Sequence, residues 1–400
     1  MNNTWRFSGN EMKYVSEVLD SGFGSSTSGN MNQRYERAFA DKVGVRYAVT
    51  SNSGTSTLQQ ALAAVGVGWG DEVIQPPLTV ISNLDVTLAQ NAIPVFADIN
   101  PDTFNMDPAD VARKIGPRTK AIMPVSLYGL SADLEPLMAL AEEHGIYVIN
   151  DAAEAHMARY KGRDIAQCAH ITSYSTENSK QISTGDGGIL ATDDEMLAAE
   201  MRKFGSMGFS VLSAGEGRIR LNKDIFQDPG YKRHDAFGMQ FRLPEVAAAL
   251  GLAQVEQIDH FIDLRISIAQ LYADAVRSAG GDYLVAQNVP DGYGSTYWCW
   301  TAKYMRDDVS WKDFRAMNLE FGGDGVYAAW ALAYQEDVVT SGAWKKRAPV
   351  LYDGIEFPAG TCPVAEEIQP RIMQFVNNYG SVEEAEPKAE ALYKTICHFA

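Results

Sequence analysis

Three short clusters along this chain carry groups that could do chemistry together. The first is Ser53-Gly54-Thr55-Ser56. It stands between an apolar run and a helical pattern. Gly54 would let the backbone turn tightly. The hydroxyls of Thr55 and Ser56, with the free N–H groups and positive dipole end of a helix start, would make a phosphate site. Plain helix capping by Ser or Thr is the alternative. The second cluster is Asn150-Asp151-Ala152-Ala153-Glu154-Ala155-His156. Asp151 closes an otherwise apolar run, and a carboxylate there needs a partner. A protonated ring nitrogen, a metal ion or a helix cap would each serve. His156 could be a ligand or an ordinary packed, hydrogen-bonded side chain. The third cluster runs from Ser175 through Lys180 to Gly188. A lysine packed among small residues can be desolvated, which moves its amine toward the neutral form a Schiff base needs. A solvated surface lysine is the alternative.

The elements that would position these groups are visible as apolar runs: Arg46–Ser51, Glu72–Gln75, Ile93–Ile99, Lys120–Leu127, Ile146–Asp151, His170–Ser175 and Gly188–Thr192. Helical patterns lie between them. Leu58, Ala61, Leu62 and Val65 repeat at helical spacing, as do Leu134, Leu137, Met138 and Ala141, with Gly145 placed to end the second helix. Such alternation predicts an α/β fold, a mostly parallel seven-stranded sheet with helices on both faces. Ligands of such sheets bind at the carboxyl ends of the strands. All three clusters fall there. A phosphate cradle, an acid and a lysine are together the equipment that pyridoxal 5'-phosphate (PLP) requires. A dinucleotide site is not supported: no GxGxxG follows a strand, and Gly66-Val67-Gly68-Trp69-Gly70 precedes one as a turn.

The second half of the chain reads differently. Residues 205–235 form a long irregular segment rich in Gly, Asp and Lys, of the kind that is functional or disordered. A long helix is expected over Pro244–Ser278. Beyond it come short strands, aromatic-rich loops such as YGSTYWCW, and a last helix in which Ser381 and Glu384 fit a capping box. The division expected is a large domain over 1–255, including the N-terminal segment 1–25, and a smaller α+β domain over 256–400. At 400 residues with 46% hydrophobic content, the chain can bury two such cores. A net charge of −17 argues against nucleic acid or anionic membranes as partners. The four cysteines form no CxxC pair, so neither a zinc site nor a disulfide framework is expected. The N-terminus lacks the basic and apolar regions of a signal peptide, and no run is long enough to span a membrane, so a cytoplasmic protein is expected.

The ordered motifs NSGTSTLQQAL, GDEVIQPPLT, PVFADINPDTFNMDP, RTKAIMPVSLYG, NDAAEAH, YKGRD, SKQISTGDGG and FRLPEVAAALG resemble the DegT/DnrJ/EryC1/StrS family. Its members are fold-type-I PLP enzymes, mostly sugar aminotransferases. The resemblance spans roughly residues 20–265, with a weaker C-terminal match at CPVAEEI. It implies Lys180 as the Schiff-base lysine and Asp151 as the residue facing the pyridine nitrogen. It implies Thr55, Ser56 and Ser175 as phosphate ligands, and Glu154 near the ring oxygen. Two positions depart from the family pattern. Val80 stands where an aromatic ring usually stacks on the cofactor. Gln240 replaces the Asn of a GxNxR motif that reaches the phosphate in the neighbouring subunit. The segment FGGDGVYAAWALAYQED also departs, in a region that shapes the substrate pocket. What the resemblance implies is amino transfer from glutamate or glutamine to a keto sugar or keto cyclitol, through pyridoxamine phosphate, in a homodimer. A PMP-dependent sugar dehydratase, which carries His in place of Lys180, and a non-catalytic sensor on the same fold are the alternatives.

Overall fold

Alternation along the strands decides how the protein is layered. A computed structural model describes residues 4–400; residues 1–3 of the N-terminal segment lie outside the described residues. The strands of the large sheet are β1 (Tyr47–Ser51), β2 (Glu72–Gln75), β3 (Ile93–Phe96), β4 (Thr119–Ile122), β5 (Tyr147–Asp151), β6 (Ile171–Ser175) and β7 (Gly188–Thr192). Their order is β1-β7-β6-β5-β4-β2-β3. All run one way except β7, which is antiparallel to both neighbours. The expected runs match these strands, except that the third and fourth end earlier, at Phe96 and Ile122.

Successive side chains of a strand face opposite ways, so each strand feeds two cores. The longer helices are α1 (Glu11–Asp20), α2 (Met31–Val43), α3 (Gly54–Ala64), α4 (Ser82–Ala89), α5 (Leu134–His144), α6 (Glu195–Phe204), α7 (Glu245–Glu256), α8 (Ile258–Ser278), α9 (Trp311–Glu320) and α10 (Val382–His398). Val49, Val73, Ala121, Ile149 and Leu190 pack with Leu58 and Leu62 of α3 and Leu197 and Met201 of α6. Their neighbours Ala48, Ile74, Ile122, Val148 and Ile189 pack on the other side with Phe39 of α2, Leu137 of α5 and Leu252 of α7. Helices thus cover both faces. The predicted apolar stripe of α3 is buried throughout. Gly145 ends α5 at φ 65°, a left-handed turn, with its N–H on Ala141 O.

The long helix expected over Pro244–Ser278 is two helices, α7 and α8, that part at Gln257 (φ −109°, ψ 1°). The break lies where the side chains of Gln254 and Gln257 donate to Glu11 Oε1, tying the N-terminal segment across the junction. Beyond it, β8 (Leu284–Ala286), β9 (Cys299–Tyr304), β10 (Val326–Ala328) and β11 (Ile372–Val376) form an antiparallel sheet in the order β8-β9-β11-β10. It packs on α8 and α10 through Trp300, Phe375, Tyr272 and Leu392. Ser381 Oγ accepts the N–H of Glu384 at the start of α10, and the Glu384 carboxylate accepts from Gly380 N, one residue ahead of the cap. No described helix is long and apolar enough to cross a membrane.

Candidate active site

The carboxyl ends of β1, β5 and β6 and the residues just before β7, Asp186 and Gly187, border a cavity of about 500 Å³. Gly54 is there because of crowding, not because of a turn: it is not among the glycines with positive φ. A Cβ on it would stand 2.8 Å from Ser175 Cβ. The start of α3 is capped by Ser53, whose Oγ accepts the N–H of Ser56 at 3.0 Å. The capping reading of this turn holds for Ser53. Ser53 caps, which leaves the amides of Gly54 and Thr55 as the ones a helix start does not satisfy internally. The Thr55 hydroxyl lies 3.0 Å from that of Ser82, and both residues line the cavity with Ser175. Ser56 does not line it; its hydroxyl donates to Asn52 Oδ1 at 2.7 Å.

Asp151 lies in the cavity wall and is only 5% exposed. Its oxygens accept from Asn83 Nδ2 and Ala153 N, both at 3.1 Å. Thr79 Oγ1 donates to Asn83 Oδ1 and so fixes which end of the amide meets the acid. Burial raises the Asp151 carboxyl to about 6, against the pull of those hydrogen bonds and of Lys180. An acid in this condition favours a cation that comes to meet it.

Lys180 is 9% exposed, which rules out the solvated-lysine reading. Its Nζ stands 3.3 Å from Glu154 Oε1 and 4.7 Å from the centre of the Trp298 ring. A carboxylate and an indole face both attract an ammonium. The other oxygen of Glu154 accepts the N–H of Tyr128 at 3.0 Å. Tyr128 is fully buried at φ 60°, an unfavourable conformation for a residue with a side chain, and such strain gathers at functional sites. His156 packs between Phe39 and Tyr174 and contacts Gln181 Oε1 at 3.1 Å, the packed alternative of the sequence reading.

Val80 lines the cavity and is 39% exposed. The large aromatic surfaces come instead from the second sheet and its loops. Trp298 and Trp330 line the cavity, with Tyr128 behind them. The three rings lie within 25° of parallel, and their centres are 5.8 to 6.4 Å apart in every pair. A column would put the outer two about twice that distance apart, so the rings form a triangular aromatic wall. Gln240 lies outside the cavity of its own chain, exposed, bridged to Ser206.

Sequence reasoning missed Asn83, Tyr128, Trp298 and Trp330, and also Arg6 and Arg265, which hold the Lys180 loop from behind. The two tryptophans sit in stretches that stood out as aromatic-rich or unusual. Arg6 carried no signal, since nothing near it suggests a contact some 170 residues away.

A hydroxyl-lined helix start, a buried acid and a buried lysine around one cavity, set on a seven-stranded α/β sheet, accord with a fold-type-I aminotransferase. The model of the DegT/DnrJ/EryC1/StrS aminotransferase family matches residues 6–321, and the chain belongs to this PLP-dependent family. It is 36% identical over 322 residues to a GDP-perosamine synthase of Caulobacter vibrioides, covering 79% of this chain and 81% of that one. It is 39% identical over 274 residues to the spore coat polysaccharide biosynthesis protein SpsC of Bacillus subtilis, covering 68% and 67%. The solved structure of an aminotransferase from Psychrobacter cryohalolentis superposes with a TM-score of 0.83 at 27% identity, over 97% of this chain and 96% of that one. The residues present suit the cofactor: Asp151 is a buried carboxylate whose oxygens accept neutral donors, and Gly54 keeps the cavity free of a side chain at the start of α3, where a phosphate would fit.

Proposed function

We propose that this protein moves an amino group from glutamate or glutamine to a keto sugar, nucleotide-linked or related, or to a keto cyclitol. In this reading Lys180 holds PLP, Asp151 faces its ring nitrogen, and Gly54, Thr55 and Ser175 hold its phosphate with the N-terminus of α3. The observation that carries the reading is the buried Lys180 amine facing the cavity across from Asp151. When bound, PLP supplies an electron sink for negative charge on the donor carbon. The protein supplies the rest. Asp151, ionised, keeps the ring nitrogen protonated. Lys180 Nζ would take the proton from the donor Cα, hold it as an ammonium, and return it to the carbon that gains hydrogen, acting first as general base and then as general acid. Glu154 Oε1 is the resting partner of that amine when it is charged, and the Tyr128 amide fixes the carboxylate in place. Ser56 stiffens the cradle through Asn52.

The acceptor side belongs to residues from 256 onward, which bring Trp298 and Trp330 to the cavity built by residues up to 255. A flat aromatic wall suits the apolar face of a sugar ring. Gln240 reaches the site of a second copy of this chain. Exposed apolar residues on the same segment, Phe237 among them at 79% exposure, support a homodimer. Sedimentation showing an active monomer would refute that part.

The test is direct. Lys180→Ala should abolish both the visible absorption band of the bound cofactor and turnover; full activity in that variant would sink the proposal. Loading the enzyme with pyridoxamine phosphate and screening ketones for return of the band would then identify the acceptor.

A further inference from the structure

Lys180 is held from behind by two arginines that, among the described residues, pair with no carboxylate. Arg6 is fully buried. Its guanidinium donates to Asn178 O and Lys180 O at 2.6 Å and to Gln181 O at 2.9 Å. Arg265, 3% exposed on α8, donates to Lys180 O and Ser179 O at 3.3 Å, and to Asn378 Oδ1 and Trp298 O at 2.8 Å. One carbonyl, that of Lys180, therefore accepts from both. Burial pushes Arg6 down to about 10 and Arg265 down to about 9. A buried cation on neutral oxygens does not recover its desolvation cost. Such an arrangement behind a loop that lines the cavity calls for a functional reason.

The contacts of Arg265 supply one. Lys180 belongs to the loop after β6, and Trp298 stands just before β9 in the second sheet. The Trp298 indole lies against the Lys180 amine, and its Nε1 donates to Ser179 O at 3.1 Å. A single guanidinium thus fixes the lysine's backbone and the backbone of the ring its amine rests on. We propose that Arg265 is a positioning residue: its fork sets where the Lys180 amine stands against the Trp298 ring. This rests on the reading of Lys180 as the cofactor lysine.

Glu154 approaches the amine from beyond the end of β5, its Oε1 3.3 Å away. His156 and Cys299 are buried, and burial holds both in their neutral forms.

Substitutions at 265 separate fork from charge. Arg265→Met removes both, and Arg265→Lys keeps only the charge. In the holoenzyme, the rate of the half-reaction with the amino donor should fall about 10- to 100-fold in both, as expected for a misplaced reacting group, with the donor KM changed less than about threefold. If Arg265→Met does not fold, Arg265→Lys, which keeps the buried charge but not the fork, carries the same expectation. Wild-type rates in Arg265→Lys, or a donor KM that rises as far as the rate falls, would overturn the proposal. Those failures leave a wild-type band that Lys180→Ala abolishes. Absence of a visible cofactor band in the wild type would instead sink the assignment of Lys180.

Discussion

Two sets of buried arginines in this protein solve the same problem in opposite ways. Arg202 of α6 meets Glu36 of α2 through two parallel hydrogen bonds, 2.9 and 3.0 Å, and also donates to Ala48 O and Ala214 O. That cation carries its counter-ion with it and joins two helices, a strand and a loop. Arg6 and Arg265 have only carbonyls and one amide oxygen within hydrogen-bond reach. The first arrangement closes a core. The second spends stability to hold one loop in one place, and that loop carries Lys180. Burial alone therefore does not say what an arginine is for; the partner it is given does.

Stability separates the two kinds most strongly. Arg202→Met strips Glu36 of its counter-ion inside the protein and should cost about 3–5 kcal/mol. Arg265→Met takes the unpaired charge away with the side chain. It leaves carbonyls short of a donor, a loss of about 1–3 kcal/mol. Urea unfolding of the cofactor-free proteins, followed by far-UV circular dichroism, should show the larger shift of midpoint for Arg202→Met. Equal shifts would erase the distinction.

His156 is a third buried basic group, and it avoids the cost by staying neutral. Burial lowers its imidazole to about 3. A folded value below the unfolded one favours the neutral form, so the stability His156 lends is complete above about 6.5 and drains away as the pH falls toward 3. Asp151 has the opposite sign: its carboxyl is raised to about 6, so the cofactor-free protein gains from it as the pH drops through that value. Both states of a comparison between wild type and His156→Gln contain Asp151, so its part cancels. The wild type should lose about 2–3 kcal/mol more than the variant between pH 6.5 and 4.5. Parallel melting curves across that range would show that His156 takes up its proton without strain.

Much of the large sheet was legible in the sequence because each strand is an apolar run bounded by turn residues and each covering helix repeats its apolar face. Asp151 was legible because a polar group at the end of such a run has few reasons to be there, and Lys180, five residues past β6, because its cluster follows a strand on the same edge as the other two. The turn at Gly54 was legible in position but not in cause: the reason for glycine is Ser175, more than a hundred residues on. The breaks in the pattern were long-range too. Nothing local separates α7 from α8; the N-terminal segment lies across the junction. Arg6, Arg265, Trp298 and Trp330 act through contacts between distant parts of the chain, and periodicity carries no trace of those.

The aromatic wall offers the smallest and most selective test of the comparison. Trp298 is tied to Arg265 through its carbonyl, whereas the backbone carbonyl of Trp330 is held by Gln369 Nε2 at 3.0 Å. If Arg265 works by placing Lys180, removing the Trp330 ring should leave the lysine untouched. Trp330→Ala should keep the pH midpoint of the cofactor band and the rate of the donor half-reaction. What it should lose is contact with the acceptor, a rise in acceptor KM of about 2- to 10-fold, the worth of one aromatic contact. Single-turnover measurements of the two half-reactions separate these outcomes. A slowed donor half-reaction in Trp330→Ala would mean that the wall and the lysine loop move as one body, and that the arginine's hold extends beyond the residues it touches.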